Sequence, residues 1–143
     1  MQKKLKKIAS DKSRSRHQKA EETHTEVFQK FDCLTCANCC KSLPALMSNR
    51  DVKRIANHLS LSPQVFKEKF IRVDEDGDNV IDGAPCPFLL DDNRCSIYEV
   101  RPAACRQYPH TGGKQFFEHL NLHRKNINHC PALFEIINLL EKQ

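Results

Sequence analysis

The residues of this chain that could do chemistry are its cysteines, and four of them fall between positions 33 and 40. The segment Cys33–Cys40 has the pattern CxxCxxCC, in which two-residue gaps separate the first three thiols. Gaps of this length let successive sulfurs converge on one centre, as in zinc knuckles and ferredoxin loops. Because neighbouring side chains in an extended or turning backbone diverge, we expect Cys39 and Cys40 to serve a metal centre in different ways.

Four further cysteines follow at wide intervals, so the chain has eight in all. In a reducing compartment this number favours metal ligation, although an even count also suits a disulfide framework. The sequence predicts all eight thiols as ligands: Cys33, Cys36, Cys39, Cys40, Cys86, Cys95, Cys105 and Cys130.

The spacing leaves the metal open between an iron–sulfur cluster and zinc. The CxxCxxC run resembles the bacterial ferredoxin run, and the Cys-Pro steps at Cys86 and Cys130 resemble its detached fourth ligand. Eight thiols could equally form two closed zinc sites of four thiolates each. One such division places Cys33, Cys36, Cys39 and Cys130 in one site and Cys40, Cys86, Cys95 and Cys105 in the other.

Other polar residues near the cysteines have weaker claims on a metal. His119 and His123 would share one face of a helix, and we leave them outside the predicted site. His129 is expected to hydrogen-bond a thiolate rather than to bind metal. Arg101 and Arg106 flank Cys105, where guanidinium groups would offset thiolate charge, or else pair with Glu99 or Asp92.

Length and charge limit the kinds of protein that this chain can be. With 143 residues and no apolar run of membrane-spanning length, we expect a soluble, cytoplasmic protein that does not bind a membrane. The net charge of +5 falls within residues 1–30, which leaves residues 31–143 formally neutral. Residues 1–30 are therefore predicted to form a basic helical arm, and residues 31–143 a cysteine-cluster metal-binding domain. In the arm, Leu5 and Ile8 alone are expected to be too few for a buried face.

The remaining pattern predicts short helices and two β-hairpins. Helices are expected at 21–30, at 50–58 after a Ser48 or Asn49 cap, and at 63–70, 99–107, 116–126 and from Pro131. The Asp76-Gly77 step predicts one hairpin, and residues 86–98 a second. The predicted fold is a small, irregular α+β domain that its metal stabilises, preceded by the basic helical arm.

Together these motifs resemble the CxxCxxCC cysteine-cluster family, whose members are described as zinc- or iron-chelating. The match extends over roughly residues 31–135 and keeps the family's order. It comprises Cys33-x2-Cys36-x2-Cys39-Cys40, Cys86-Pro87-Phe88-Leu89, Cys95-Ser96-Ile97-Tyr98-Glu99, Arg101-Pro102-x2-Cys105-Arg106-x-Tyr108-Pro109 and Cys130-Pro131. A related cluster occurs in flagellin lysine N-methylases, but this chain has no Gly-rich loop for a methyl donor, so that activity is not carried over.

Three functions follow as hypotheses. The first is a protein that holds an iron–sulfur cluster or zinc and acts in electron transfer or metal handling. The second is a structural zinc module whose basic arm binds RNA or an acidic protein. The third is a redox enzyme; the sequence has no nucleophile–base pair or cofactor fingerprint, which leaves enzymatic activity open.

Overall fold

The computed structural model describes residues 1–143 and contains ten α-helices and one two-stranded sheet. In chain order the elements are α1 (Gln2–Ser10), α2 (Arg16–Lys30), α3 (Cys33–Cys36), α4 (Asn38–Ser42), α5 (Asn49–His58), α6 (Pro63–Phe70), β1 (Ile71–Val73), β2 (Asn79–Ile81), a 3₁₀ turn (Tyr98–Val100), α7 (Ala103–Gln107), α8 (Gly113–Glu118), α9 (Leu120–Asn126) and α10 (Pro131–Lys142). With 59% of its residues helical beside an antiparallel sheet, the chain is the small α+β protein that the sequence predicts. No helix is both long and apolar enough to cross a bilayer.

The chain forms two compact units. Unit 1 comprises Met1–Asp32 and Pro109–Gln143, and unit 2 comprises Cys33–Tyr108. Seven cysteines belong to unit 2, and Cys130 belongs to unit 1. The sequence predicts a different division, into an arm of residues 1–30 and a metal-binding domain of residues 31–143. That division concerns folding and metal binding, and it stays a prediction.

Unit 1 is a set of helices in which the first helix is buried on one side. Leu5 is only 1% exposed and Ile8 is also buried, so the expectation that they make no buried face was wrong. Helix α1 packs against α10, and α2 packs against α8 and α10. Lys4 Nζ also donates a hydrogen bond to Asn138 Oδ1 at 2.9 Å and pairs with Glu141 at 3.1 Å. The partners of α1 lie more than a hundred positions away, and local periodicity could not reveal them.

Unit 2 is built on the two predicted helices α5 and α6. Ser48 caps α5 in a capping box with Asp51, and Ser62 caps α6, which confirms both predicted starts. The buried apolar faces of these helices meet side chains from the hairpin and from the cysteine segments. This core comprises Met47, Val52, Ile55, Ala56, Phe66, Ile81, Phe88 and Ile97, with Cys86 and Cys95 packed against it.

The two predicted hairpins differ in extent. The first is confirmed: β1 and β2 pair antiparallel, with Ile71 opposite Ile81, and Gly77 takes a φ of 85° in the turn. The second consists of a single antiparallel bridge between Leu89 and Cys95. Even this short bridge brings the chain segments of Cys86 and Cys95 side by side.

Two predicted helices are each broken in the structure. Residues 99–107 form the 3₁₀ turn Tyr98–Val100 followed by α7, because Pro102 has no N–H to continue a helix and disfavours helical backbone at Arg101. Residues 116–126 lie in α8 and α9, which separate at His119. The first break determines how Cys105, in α7, approaches the other cysteines.

Candidate metal centre

The CxxCxxCC segment folds into two short helical turns rather than an extended loop. Helix α3 carries Cys33 and Cys36, and α4 carries Cys39 and Cys40. Between them the buried Ala37 has a φ of 49°, in the left-handed region that residues other than glycine rarely adopt. This residue turns the chain between the two pairs of thiols.

The adjacent thiols of Cys39 and Cys40 differ in their ionisation. Their sulfur atoms lie 4.0 Å apart, within hydrogen-bonding reach for sulfur. This hydrogen bond, in which either sulfur could be the donor, lowers the pKa of Cys40 and raises the pKa of Cys39. The pair therefore gives up its first proton more readily than its second.

Three distant thiols lie around Cys40. Burial raises the pKa of Cys86 and of Cys95, and the sulfur of Cys40 raises both further by charge repulsion. Desolvation also raises the pKa of Cys105, with added repulsion from Cys40, Cys86 and Cys95; part of Cys105 is exposed, and water on that side limits the rise. Because such repulsion fades with distance, these four sulfurs occupy one neighbourhood. Cys39 shares it, because its sulfur lies 4.0 Å from that of Cys40 and the charge of Cys105 raises its pKa.

Backbone amides affect the ionisation of two of these thiols. The amides of Phe88 and Leu89 lower the pKa of Cys86, and the amide of Ile97 lowers the pKa of Cys95; each effect partly opposes that of burial. The Leu89 N–H itself donates to the Cys86 carbonyl at 3.0 Å. The N–H of Cys86 in turn donates to the Cys40 carbonyl at 2.8 Å. Hydrogen bonds to sulfur stabilise thiolates and tune bound metals.

Arg101 lies beside these thiols, and its positive charge lowers the pKa of Cys95 and of Cys105, against the larger effect of burial. Its guanidinium carbon lies 3.9 Å from the centre of the Tyr98 ring, and its Nη1 donates to the Tyr98 carbonyl at 2.8 Å. Arg106 donates to the Arg101 carbonyl at 3.3 Å. The alternative pairing with Asp92 is not made by either residue, because Asp92 pairs with Arg94 at 3.6 Å.

The other predicted ligands lie in two different places. Cys33 is exposed and its charge raises the pKa of Cys39, behind the larger effects of the Cys40 hydrogen bond and burial. Cys130 is buried in unit 1, where its sulfur accepts the Leu133 N–H at 3.4 Å and caps α10. The membership of all eight cysteines in the metal site stays a prediction.

The donors fit zinc or iron in kind, although they do not form a closed shell. As the side chains stand, no group of three or more Cys, His, Asp or Glu residues could hold a metal ion. The soft thiolates, the amide donors and Arg101 match the surroundings that zinc and iron–sulfur centres use.

The histidines form a separate feature of unit 1. His123 is fully buried, and its Nε2 bonds to the Phe116 carbonyl at 2.9 Å. His119 stacks on His110, with 4.7 Å between ring centres, and its Nδ1 bonds to the Gln115 carbonyl at 2.9 Å. His119 and His123 thus each bond to a backbone carbonyl of α8. Their exclusion from the metal site stays a prediction.

We expect His123 to make the protein sensitive to acid. Burial lowers its pKa from 6.5 to about 4, so its contribution to stability is present above pH 6.5 and is lost as the pH falls from 6.5 to 4. That contribution is about 3 kcal/mol. Urea unfolding between pH 7 and pH 4.5 should show a steeper loss of stability in the wild type than in His123→Gln. The exposed His58 supplies the control His58→Gln, and equal slopes for all three proteins would contradict the expectation.

Sequence analysis missed two residues that support the site. Asp51 and Arg54 lie on α5, and they hydrogen-bond the backbone on both sides of Pro102. The only sequence signal was the pairing of Ser48 with Asp51 as a capping box.

The fold and the thiols together define a small cysteine-rich α+β protein. Residues 32–131 match the family described as "CxxCxxCC: Putative zinc- or iron-chelating domain". The chain therefore belongs to this family, and the resemblance noted from its motifs is confirmed. No curated protein and no solved structure matches the chain.

Proposed function

We propose that this chain binds iron in an iron–sulfur cluster and acts in electron transfer or metal handling, with a four-thiolate centre formed by Cys40, Cys86, Cys95 and Cys105. The observation that carries the proposal is the shared neighbourhood of these four sulfurs, since Cys105 lies within electrostatic reach of the other three. The same four cysteines form one of the two sites in the division of the eight thiols that the sequence suggests. When bound, the metal centre supplies a redox-active or exchangeable ion.

The residues around the centre have two tasks in this proposal. The amides of Phe88, Leu89 and Ile97 hold thiolate charge at Cys86 and Cys95. Four thiolates around a divalent ion carry a net charge of −2, and Arg101 offsets part of it. The positive charge of Arg101 thereby lowers the free-energy cost of partly burying the negatively charged centre.

Cys33, Cys36 and Cys39 form a second group of thiols beside the first. Cys39 joins the two groups because its sulfur lies 4.0 Å from that of Cys40. The ferredoxin-like spacing of these three favours iron over zinc.

Zinc is the second candidate. Paired amide donors on Cys86, from the second and third residues after it, suit a structural zinc knuckle as well as an iron site. A zinc centre would make the protein a structural or metal-handling module without redox chemistry.

A basic arm that binds RNA or an acidic protein receives no support. Lys4 and Lys7 pair with Glu141, and Lys30 pairs with Glu26. Each of these three lysines thus lies beside an acidic side chain of the chain itself.

The test is anaerobic purification followed by analysis for iron, zinc and acid-labile sulfide. We expect iron with sulfide and a visible thiolate-to-iron absorption, which should be lost in Cys105→Ser and kept in Ser96→Ala, a control that changes the residue next to Cys95. Zinc without colour would replace the iron proposal by the second candidate. A reduced protein that takes up neither metal would refute both.

A further inference from the structure

Helix α5 carries a buried carboxylate that is fully used in hydrogen bonding. Asp51 is 2% exposed, and it accepts hydrogen bonds from Ser48 Oγ at 2.6 Å, from the Ser48 N–H at 3.1 Å and from Arg54 Nη2 at 2.6 Å. Burial alone would raise the pKa of Asp51, but these bonds outweigh it and lower the pKa. The carboxylate is therefore charged and held in one orientation.

From α5 this pair reaches the chain segment that leads to Cys105. Arg54 Nη2 donates to the Arg101 carbonyl at 2.9 Å and to the Val100 carbonyl at 3.3 Å, and Arg54 Nε donates to Val100 at 3.3 Å. Asp51 Oδ1 accepts the N–H of Ala103, the first residue of α7, at 3.2 Å. The two side chains thus hold the backbone on both sides of Pro102.

Few other polar contacts hold this segment. The backbone hydrogen bonds that the N–H groups of residues 98–108 donate are local. At the start of the segment Tyr98 donates to the Cys95 carbonyl, and at its end Tyr108 donates to the Ala104 carbonyl. Cys40, Cys86 and Cys95 are tied to one another differently, through the Cys86 N–H bond to Cys40 and the Leu89–Cys95 bridge. Of the four sulfurs, only Cys105 depends on a segment that α5 must position.

We propose that Asp51 and Arg54 are positioning residues for the metal centre, which hold residues 100–103 so that Cys105 faces Cys40, Cys86 and Cys95. The inference rests on the proposed four-thiolate centre and adds to it the two residues that position its fourth ligand, Cys105. The same contacts fix the backbone of Arg101, whose charge lies beside Cys95 and Cys105. Partners that orient metal ligands in this way typically change metal affinity by about 10- to 100-fold when they are mutated.

The experiment is an anaerobic titration of the reduced full-length chain with Co²⁺, followed by its thiolate-to-cobalt absorption. Arg54→Gln should weaken Co²⁺ binding at least about 10-fold and reduce the absorption per bound ion, because one thiolate is no longer held in place. Arg72→Gln is the matched control, since Arg72 forms a half-exposed pair with Asp82 at 3.5 Å. Its affinity should stay within about 2-fold of the wild type, because exposed ion pairs contribute little.

A double-mutant cycle separates positioning from general support of the fold. Cys105→Ser should lose its metal during purification but still bind added Co²⁺ weakly through Cys40, Cys86 and Cys95, which keeps its affinity measurable in the titration. If Arg54 acts through Cys105, Arg54→Gln should cause no further loss of that weak affinity in the Cys105→Ser background. An equal loss in both backgrounds, or no loss in the wild-type background, would overturn the inference. Failure of the wild type itself to bind Co²⁺ would instead refute the four-thiolate centre.

Arg54→Lys keeps the inference testable if Arg54→Gln fails to fold. Lysine retains the charge beside Asp51 but cannot span the carbonyls of Val100 and Arg101 as the guanidinium fork does. We expect an intermediate affinity and an absorption per ion below that of the wild type. A spectrum and affinity equal to those of the wild type would contradict a positioning role for Arg54.

Discussion

Removal of the metal from the reduced protein is expected to destroy most of its cooperative melting. The cysteines of the proposed centre lie at positions 40, 86, 95 and 105, so metal binding closes loops of up to several tens of residues. Structural zinc supplies about 10–16 kcal/mol in zinc-finger peptides, whereas whole domains are stable by about 5–15 kcal/mol. Loss of even about 5 kcal/mol should lower Tm by about 20 °C or more in a unit of this size.

The apolar core of unit 2 is too small to replace the metal. It consists mainly of the faces of α5 and α6, the hairpin, Phe88 and Ile97. Helices α3 and α4, which carry four cysteines, contain no buried residue of their own. We therefore expect the cysteine segments to lose their structure first when the ion is removed.

The measurement is thermal melting by circular dichroism under anaerobic, reducing conditions, before and after strong chelation. Adding the metal back should restore the transition, which separates metal loss from damage to the thiols. A reduced, metal-free protein that melts as cooperatively and at the same temperature as the purified form would exclude a structural role for the metal.

Local signals in the sequence predicted much of unit 2. Ser48 and Ser62 give the starts of α5 and α6, because the side-chain cap and the orphan N–H groups lie within one helical turn. The Asp76-Gly77 turn places the hairpin for the same reason: Gly77 adopts a φ that other residues avoid. Each of these features is decided by residues close in sequence.

Features that depend on distant residues were not predictable in this way. Leu5 and Ile8 are buried by helices from the other end of the chain. Two apolar residues are too few to give a periodicity from which this burial could be predicted. The roles of Asp51 and Arg54 depend on backbone groups about fifty positions away. Only the break at Pro102 was available locally, from the rule that a proline disfavours helix in the residue before it.

The division of the thiols into groups was one of several that the sequence allowed. Spacing alone identifies Cys33, Cys36 and Cys39 as a convergent set, but it cannot say which distant thiol meets Cys40. In the folded chain the Leu89–Cys95 bridge brings the segments of Cys86 and Cys95 side by side, and Cys105 lies within electrostatic reach of Cys40, Cys86 and Cys95. The assignment of these four thiols to one centre is a proposal. Cys40 thus becomes the thiol whose loss should matter most.

Cys40→Ser is expected to abolish the four-thiolate centre, whereas Cys36→Ser should leave it intact. The serine hydroxyl is nearly isosteric with the thiol but does not supply a soft thiolate, and the Cys40 carbonyl can still accept the Cys86 N–H. Cys86, Cys95 and Cys105 all lie within electrostatic reach of Cys40, whereas Cys36 belongs to the second group of thiols. The two substitutions are thus chemically identical and differ only in which group of thiols they enter.

The comparison is made by metal analysis and native mass spectrometry of the two variants, both purified anaerobically in parallel with the wild type. Cys40→Ser should lose the whole metal content of this centre and should melt at a lower temperature than Cys36→Ser, because the three remaining thiolates do not close the site. Cys36→Ser should keep that centre and most of the melting temperature. If both variants lost the same amount of metal, the two groups of thiols would have to serve a single centre, and the assignment of Cys40, Cys86, Cys95 and Cys105 to a centre of their own would be wrong.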